Sequence, residues 1–163
     1  ILLLKVLSSL KKILNFKLII IGSGKFKKNL ENYARTNGII KSIKIIDYTN
    51  NPYPYVQSSE IMIHVAKYEG LPNVLIETQL LKKFIISSDC PTGPKEILCN
   101  GKGGYFFEIG NYNQLYNKIL SYIRNKKKIS EKIDYSYNQL ERFNSKKNLN
   151  EYYKLIKKFL VLN

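Results

Sequence analysis

Two glutamates, Glu69 and Glu77, stand eight positions apart in the stretch YEGLPNVLIE, Tyr68 to Glu77. Glu77 lies among Val74, Leu75, Ile76, Leu80 and Leu81, where an unpaired buried carboxylate would cost on the order of several kcal/mol. Its carboxylate therefore either faces solvent, as an ordinary mid-helix glutamate does, or meets a ligand in a cleft. The neighbouring residues supply the rest of a ligand chemistry. Pro72 suits the first turn of a helix, where its missing N–H costs nothing, and Gly70 lets backbone approach a ligand closely. The N–H groups of Asn73 and Val74 then point out of the helix N-terminus, where the dipole favours an anion. Glu69 precedes the helix, and Glu77 lies one turn along it on the side of Asn73. A carboxylate facing a vicinal diol accepts two hydrogen bonds from it. An anion at the helix start and a diol near Glu77 together describe a nucleotide sugar, although the residues alone leave both readings of Glu77 open. Glycoside hydrolysis also uses paired carboxylates, but it needs open, opposed side chains, and a glutamate embedded mid-helix argues against it.

Other candidates carry less. GSGK, Gly22 to Lys25, closes an apolar run and has the look of a phosphate loop without the full spacing of one; Gly22 and Gly24 read first as a tight turn and second as ligand contacts. Gly93 and Lys95, in TGPKEIL, offer a phosphate contact, against which stands the commoner solvated lysine. His64 is the one histidine and falls inside an apolar run, so a core ring with satisfied nitrogens is the better reading. A metal site is not expected, because no second histidine and no Asp-x-Asp pair exist among Asp47, Asp89 and Asp134.

These residues need elements to hold them. Apolar runs at Lys17–Gly22, Ser42–Asp47, Ile61–Ala66, Phe84–Asp89 and Gly104–Ile109 read as strands. Helical patterns cover Ile1–Ile13, Phe26–Asn37, a short piece after Asn51, Pro72–Leu81, Pro94–Leu98, Tyr112–Arg124, Ser130–Arg142 and Lys146–Leu160, with RNKKK (Arg124–Lys128) as a solvated connector. Strands separated by helices imply an α/β fold with a parallel sheet, and ligands in such sheets bind at the carboxyl ends of the strands. The three loops of unusual chemistry, GSGK, AKYEGLP and SDCPTGP, all fall there.

The 163 residues suit one domain, and 44% hydrophobic with 24% charged residues is ordinary for a globular chain. No apolar run approaches the roughly 20 residues that span a bilayer, and the opening ILLLKVLSSL lacks the order of a signal peptide. Cys90 and Cys99 fit no metal spacing and point to reduced thiols in the cytoplasm. The net charge of +15 rests on 24 lysines and three arginines spread along the chain. High Lys, Ile, Asn and Tyr together fit an AT-rich coding bias. Scarce arginine disfavours nucleic acid; a basic face on an anionic membrane is the stronger alternative.

The run from Ser58 to Asn111, with YEGLPNVLIE and TGPKEIL at its centre, resembles the nucleotide-sugar-binding half of retaining glycosyltransferases of the GT-B fold, family 4. The register holds from Ile1 to about Tyr153. The resemblance implies a Rossmann-like parallel sheet with flanking helices, with residues 1–125 as the donor-binding domain and 126–163 as its C-terminal helices. It implies that Glu69 acts at the catalytic centre and, with the backbone of Gly70, Leu71 and Asn73, meets the donor sugar's hydroxyls. The Asn73 and Val74 amides would meet the diphosphate, Glu77 the ribose hydroxyls, and Tyr48 and Thr49 the base, although Tyr48 also reads as a plain surface aromatic. No cofactor is implied beyond the donor itself, expected to be a uridine diphosphate sugar. The acceptor would be a glycan or lipid-linked saccharide of lipopolysaccharide, capsule or glycoprotein synthesis. The family's donor half opens with a strand and a Gly-Arg…Lys loop that this chain lacks, so the expectation includes a missing central first strand and a missing acceptor-binding domain. The expected place is the cytoplasm or the inner membrane face. The competing expectation is a truncated, non-catalytic basic module that docks on anionic membrane or nucleic acid.

Overall fold

Five short apolar runs become five parallel strands, each followed by a helix. The computed structural model describes residues 1–160, so the last three residues of the 126–163 segment lie outside it. The chain runs α1 (Leu2–Leu10), β1 (Leu18–Ile21), α2 (Lys27–Thr36), β2 (Ile43–Ile46), α3 (Tyr53–Ser58), β3 (Ile61–His64), α4 (Asn73–Leu80), β4 (Phe84–Ser88), α5 (Pro94–Ile97), β5 (Tyr105–Phe107), α6 (Tyr112–Arg124), α7 (Lys126–Asn138) and α8 (Ser145–Leu160). Among the described residues no helix is long and apolar enough to cross a membrane.

The strands form two parallel sheets, β1-β2 and β3-β4-β5. Leu18 lies opposite Ile43 and Ile21 opposite Ile46; Ile61 lies opposite Phe84, His64 opposite Ser87 and Ile86 opposite Tyr105. Only β4 is paired on both edges; β1, β2, β3 and β5 each pair on one edge alone among the described residues. Helix α1 joins the halves. Its Val6, Leu7 and Leu10 pack with Phe84, Ile86, Phe107, Leu115 and Ile119, while Leu4 packs with Ala34 and Ile39 beside β1. Each buried aliphatic side chain of this kind contributes about 1.5–3 kcal/mol.

Several boundaries differ from the sequence reading. Helix α7 begins at Lys126, so the lysine run read as a connector is its first turn; lysine is a good helix former, and the buried Ile129 anchors that turn. The same helix stops at Asn138, and a 3-10 turn at Leu140–Phe143 carries the Arg142 guanidinium to the Ile97 carbonyl at 2.9 Å. Strand β3 ends at His64, its last pairing being with Ser87; beyond it the chain turns into the loop, whose Ala66 carbonyl accepts from the Ser88 hydroxyl at 2.6 Å.

Tyr122 of α6 stacks on Phe84, with ring centroids 5.5 Å apart, and its hydroxyl donates to the Glu60 carbonyl at 3.3 Å. Burial, reinforced by the charge and hydrogen bond of the Glu60 carboxylate, pushes its phenol up to about 12 from an ordinary 10.0. The protonated phenol is thus favoured by folding: the contribution is complete below pH 10 and is lost as pH rises through 12. Tyr122→Phe keeps the ring stack. It should lower stability at neutral pH by about 1 kcal/mol or less and flatten the alkaline decline, read by thermal melts across that range. Parallel declines in the two proteins would show that this phenol is not responsible.

Candidate functional site

The carboxyl end of β3 leads through Val65–Pro72 into α4, and this junction carries both glutamates. The inner side of α4 is Leu75, Thr78 and Gln79, all buried. Gln79 donates through Nε2 to the Ile97 carbonyl at 2.9 Å, tying α4 to α5. With that spacing fixed, Asn73, Glu77 and Leu80 fall on another side. Asn73 and Leu80 are exposed and Glu77 is half-buried. Among the described residues the Glu77 carboxylate has no ion pair and no hydrogen bond.

Pro72 is the cap of α4, which begins one residue later than the sequence placed it, with φ −71° and ψ 93° at the cap. No side chain caps the helix. Among the described residues nothing accepts from the amides of Asn73 and Val74, the first helix bond being Leu75 N–H to the Pro72 carbonyl at 2.9 Å. Gly70 is exposed, and a Cβ built on it would meet nothing within 4 Å. Leu71 is 48% exposed. Two backbone donors without partners among the described residues thus belong to exposed residues that lie between Glu69 and Glu77 in the chain.

Glu69 is held more firmly. Its Oε1 lies 3.0 Å from Nε2 of His64, and its carbonyl accepts from the Thr92 hydroxyl. The His64 ring has its second contact at Ser87 Oγ, 3.1 Å from Nδ1. The expected core histidine with both nitrogens engaged is therefore present, but one partner is the proposed catalytic carboxylate, a link the sequence reading missed. The only available signal was position: a histidine closing a strand five residues before Glu69.

Gly93 has a clear structural part. Its φ is +84°, and a Cβ there would lie 2.3 Å from the Gly70 carbonyl oxygen and 2.5 Å from Pro72 Cδ. The turn before α5 thus packs directly on the Glu69–Pro72 loop. Lys95 is ion-paired with Asp89 at 3.0 Å, which holds its charge at the carboxyl end of β4. Burial pushes the neighbouring Cys90 thiol up, and the charges of Glu69 and Asp89 add to it. Gly22, Gly24, Tyr48 and Thr49 sit at the carboxyl ends of β1 and β2 in the other sheet. Gly22 donates to the Ile46 carbonyl at 2.9 Å, Gly24 is open on its Cβ side, Tyr48 is 80% exposed, and the Thr49 hydroxyl accepts from Asn51 N–H at 3.3 Å. None of the four shares a hydrogen bond with the Glu69–Glu77 segment among the described residues. No group of three or more His, Cys, Asp or Glu side chains is placed to hold a metal among those residues.

Comparison with known proteins gives this arrangement relatives. The family model described as glycosyl transferases group 1 matches residues 1–139. An uncharacterised glycosyltransferase of Methanocaldococcus jannaschii is 36% identical over 85 residues, covering 52% of this chain and 21% of the relative. An N-acetylgalactosamine-N,N'-diacetylbacillosaminyl-diphospho-undecaprenol 4-alpha-N-acetylgalactosaminyltransferase of Campylobacter jejuni is 26% identical over 113 residues, 69% of this chain and 31% of that protein. The chain thus spans less than a third of the length of either. Among solved structures, the pneumococcal O-GlcNAc transferase in complex with UDP and GlcNAc superposes with a TM-score of 0.82 at 20% identity, over 98% of this chain and 33% of that one. That likeness establishes a shared Rossmann-like fold.

The two glycines of the site should respond oppositely to a methyl group. Gly93→Ala places a side chain on a backbone oxygen in left-handed backbone, which costs roughly 1–2 kcal/mol before the clash is counted, and should lower the melting temperature by several degrees. Gly70→Ala meets open space and should melt as wild type does. Equal melting of both variants would refute the packing described for the Gly93 turn.

Proposed function

The chain belongs to the glycosyl transferases group 1 family, and from that premise we propose that it is the donor-binding part of a glycosyltransferase. The donor is a nucleotide diphosphate sugar, expected to be a uridine diphosphate sugar, and the group moved is a hexose or N-acetylhexosamine. The acceptor is a glycan or lipid-linked saccharide of lipopolysaccharide, capsule or glycoprotein synthesis, held by an N-terminal acceptor-binding domain beside residues 1–125 and the helices of 126–163. The work is done in the cytoplasm or at the inner membrane face. The names of the relatives support this: the Campylobacter protein transfers N-acetylgalactosamine to an undecaprenol-linked acceptor, and the pneumococcal structure holds UDP and GlcNAc.

The observation that carries the reading is the pair of unpartnered amides at Asn73 and Val74, beside open Gly70 and between Glu69 and Glu77. In this reading the amides take the diphosphate, Glu77 takes the ribose diol, and Glu69 with the backbone of Gly70 and Leu71 takes the sugar hydroxyls. Tyr48 and Thr49 lie by the base, Gly22 and Gly24 line the cleft, and Lys95 adds a cation from the Gly93 turn. No metal is needed, because the amides stabilise charge on the departing diphosphate. Glu69 is tethered to His64 at 3.0 Å, which suits a group that fixes hydroxyls better than a free nucleophile. The reaction then retains the anomeric configuration, with attack on the leaving-group face and a diphosphate oxygen taking the acceptor's proton. An inverted product by NMR, in an assay supplying the acceptor half, would overturn the retention.

A second reading has its own observation. Helix α8 buries no residue, and Leu149, Tyr152, Tyr153, Phe159 and Leu160, between 63% and 72% exposed, form a stripe beside Lys146, Lys147, Lys154, Lys157 and Lys158. Such a helix fits an anionic membrane surface, and a basic docking module would use it without any nucleotide site.

Calorimetric titration separates the two. Glu77→Ala should weaken both UDP and UDP-N-acetylglucosamine by about ten- to a hundredfold, whereas Glu69→Gln should leave UDP within about twofold. Wild type and Glu77→Ala binding alike would remove the role given to Glu77. Salt-sensitive binding to phosphatidylglycerol vesicles, with no effect of either nucleotide on melting, would favour the docking module.

A further inference from the structure

The ring of His64 is 11% exposed at its side chain, whereas the Glu69 carboxylate beside it is 32% exposed. One oxygen of that carboxylate, Oε1, is taken by His64 at 3.0 Å. The other, Oε2, accepts nothing among the described residues. We propose that His64 is the positioning residue for Glu69: its Nε2–H donates to Oε1, fixes the carboxylate plane, and presents Oε2 to a hydroxyl of the donor sugar. This rests on the donor-binding reading above and names the group that makes the site select a sugar-bearing nucleotide over the bare one.

The proton count supports the assignment. Ser87 Oγ donates to the Ser88 carbonyl at 3.0 Å and also lies 3.1 Å from Nδ1 of His64. A hydroxyl has one proton to give. If Ser87 spends it on the carbonyl, Nδ1 must donate to Oγ; if Ser87 spends it on Nδ1, Nδ1 accepts. An ionised carboxylate only accepts, so the contact at Oε1 closes only when Nε2 carries a proton. The first arrangement is the imidazolium and the second is the Nε2–H tautomer, and both put the proton between His64 and Glu69. The scaffold under the ring is stiff: Ser87 is fully buried in β4 and lies directly opposite His64 across the sheet. The Glu69 backbone is held separately by Thr92. His64 therefore governs the carboxylate's direction rather than the loop's place.

The chain's one histidine gives one imidazole signal, so nitrogen NMR of the histidine-labelled chain needs no assignment. The expected spectrum has Nε2 protonated in the ligand-free protein, altered by Glu69→Gln, shifted by UDP-N-acetylglucosamine and little changed by UDP. By calorimetry, His64→Leu should leave UDP affinity within about twofold and cut the advantage of UDP-N-acetylglucosamine over UDP by about fivefold or more. His64→Gln, which keeps a donor at similar reach, should restore most of that advantage. A bare Nε2, a resonance indifferent to Glu69→Gln, or an undiminished sugar advantage in His64→Leu would overturn the proposal. If the wild type binds neither compound, the donor reading fails, while the Nε2 resonance and its response to Glu69→Gln still decide whether His64 holds Glu69.

Discussion

Strand β4 is the element on which everything else rests, because all five of its residues, Phe84–Ser88, are buried. Side chains alternate faces along a strand, so an apolar run of this kind must be covered on both sides. Phe84 and Ile86 are met on one face by α1 and α6. Ile85 is met on the other by Leu75 of α4 and by Ile97 and Leu98 at α5. Helices are thereby placed on both layers, and β3 and β5 are placed by pairing with the two edges of β4.

Covering β4 also dictates where polar groups can be. Its last two residues are serines, and both spend their hydroxyls in the strand's own neighbourhood: Ser87 on His64 and the Ser88 carbonyl, Ser88 on the Ala66 carbonyl at 2.6 Å. The carboxyl end of the sheet thus changes from apolar packing to hydrogen bonding within one residue step. The Glu69 loop grows from that rim, pinned by Ser88 at Ala66, by Thr92 at Glu69 and by the close approach of Gly93 at Gly70 and Pro72. Pinned at three points, the loop delivers α4 with its first amides exposed and unbonded.

The elements made of continuous apolar runs were legible because burial on two faces leaves no other pattern. Glycine-closed runs likewise mark the strand ends correctly at Gly22, while β3 stops two residues short of the apolar run that suggested it. Glu69, Gly70, Asn73 and Glu77 were legible as a group, since their spacing around Pro72 forces them onto one loop and one helix start. What composition hid was partnership. His64 in an apolar run looks like core in sequence, and only the register with Ser87 and the return of the loop show that its far nitrogen meets Glu69. Lys126–Lys128 misled in the opposite sense: charge suggested a connector, but one buried isoleucine at position 129 was enough to wind them into α7. The strands form two sheets, and α1 reaches both through Val6 and Leu4, which pack on different neighbours, contacts that no local window contains.

A compositional drift towards lysine, isoleucine and asparagine would erode a site built from side chains faster than one built from backbone. The donors left without partners here are the N–H groups of Asn73 and Val74, and almost any side chain could stand at those positions without moving them. Their direction is set instead by Pro72, which cannot continue the helix backwards, and by Gly93, whose missing Cβ leaves room for the Gly70 carbonyl. The side chains that the proposed reading does call on include the carboxylates of Glu69 and Glu77. Of these, Glu69 is tied to a histidine that is itself locked to a buried serine. The geometry of the loop thus depends on a proline, on the glycine at position 93 and on a short polar chain from β4 to the loop.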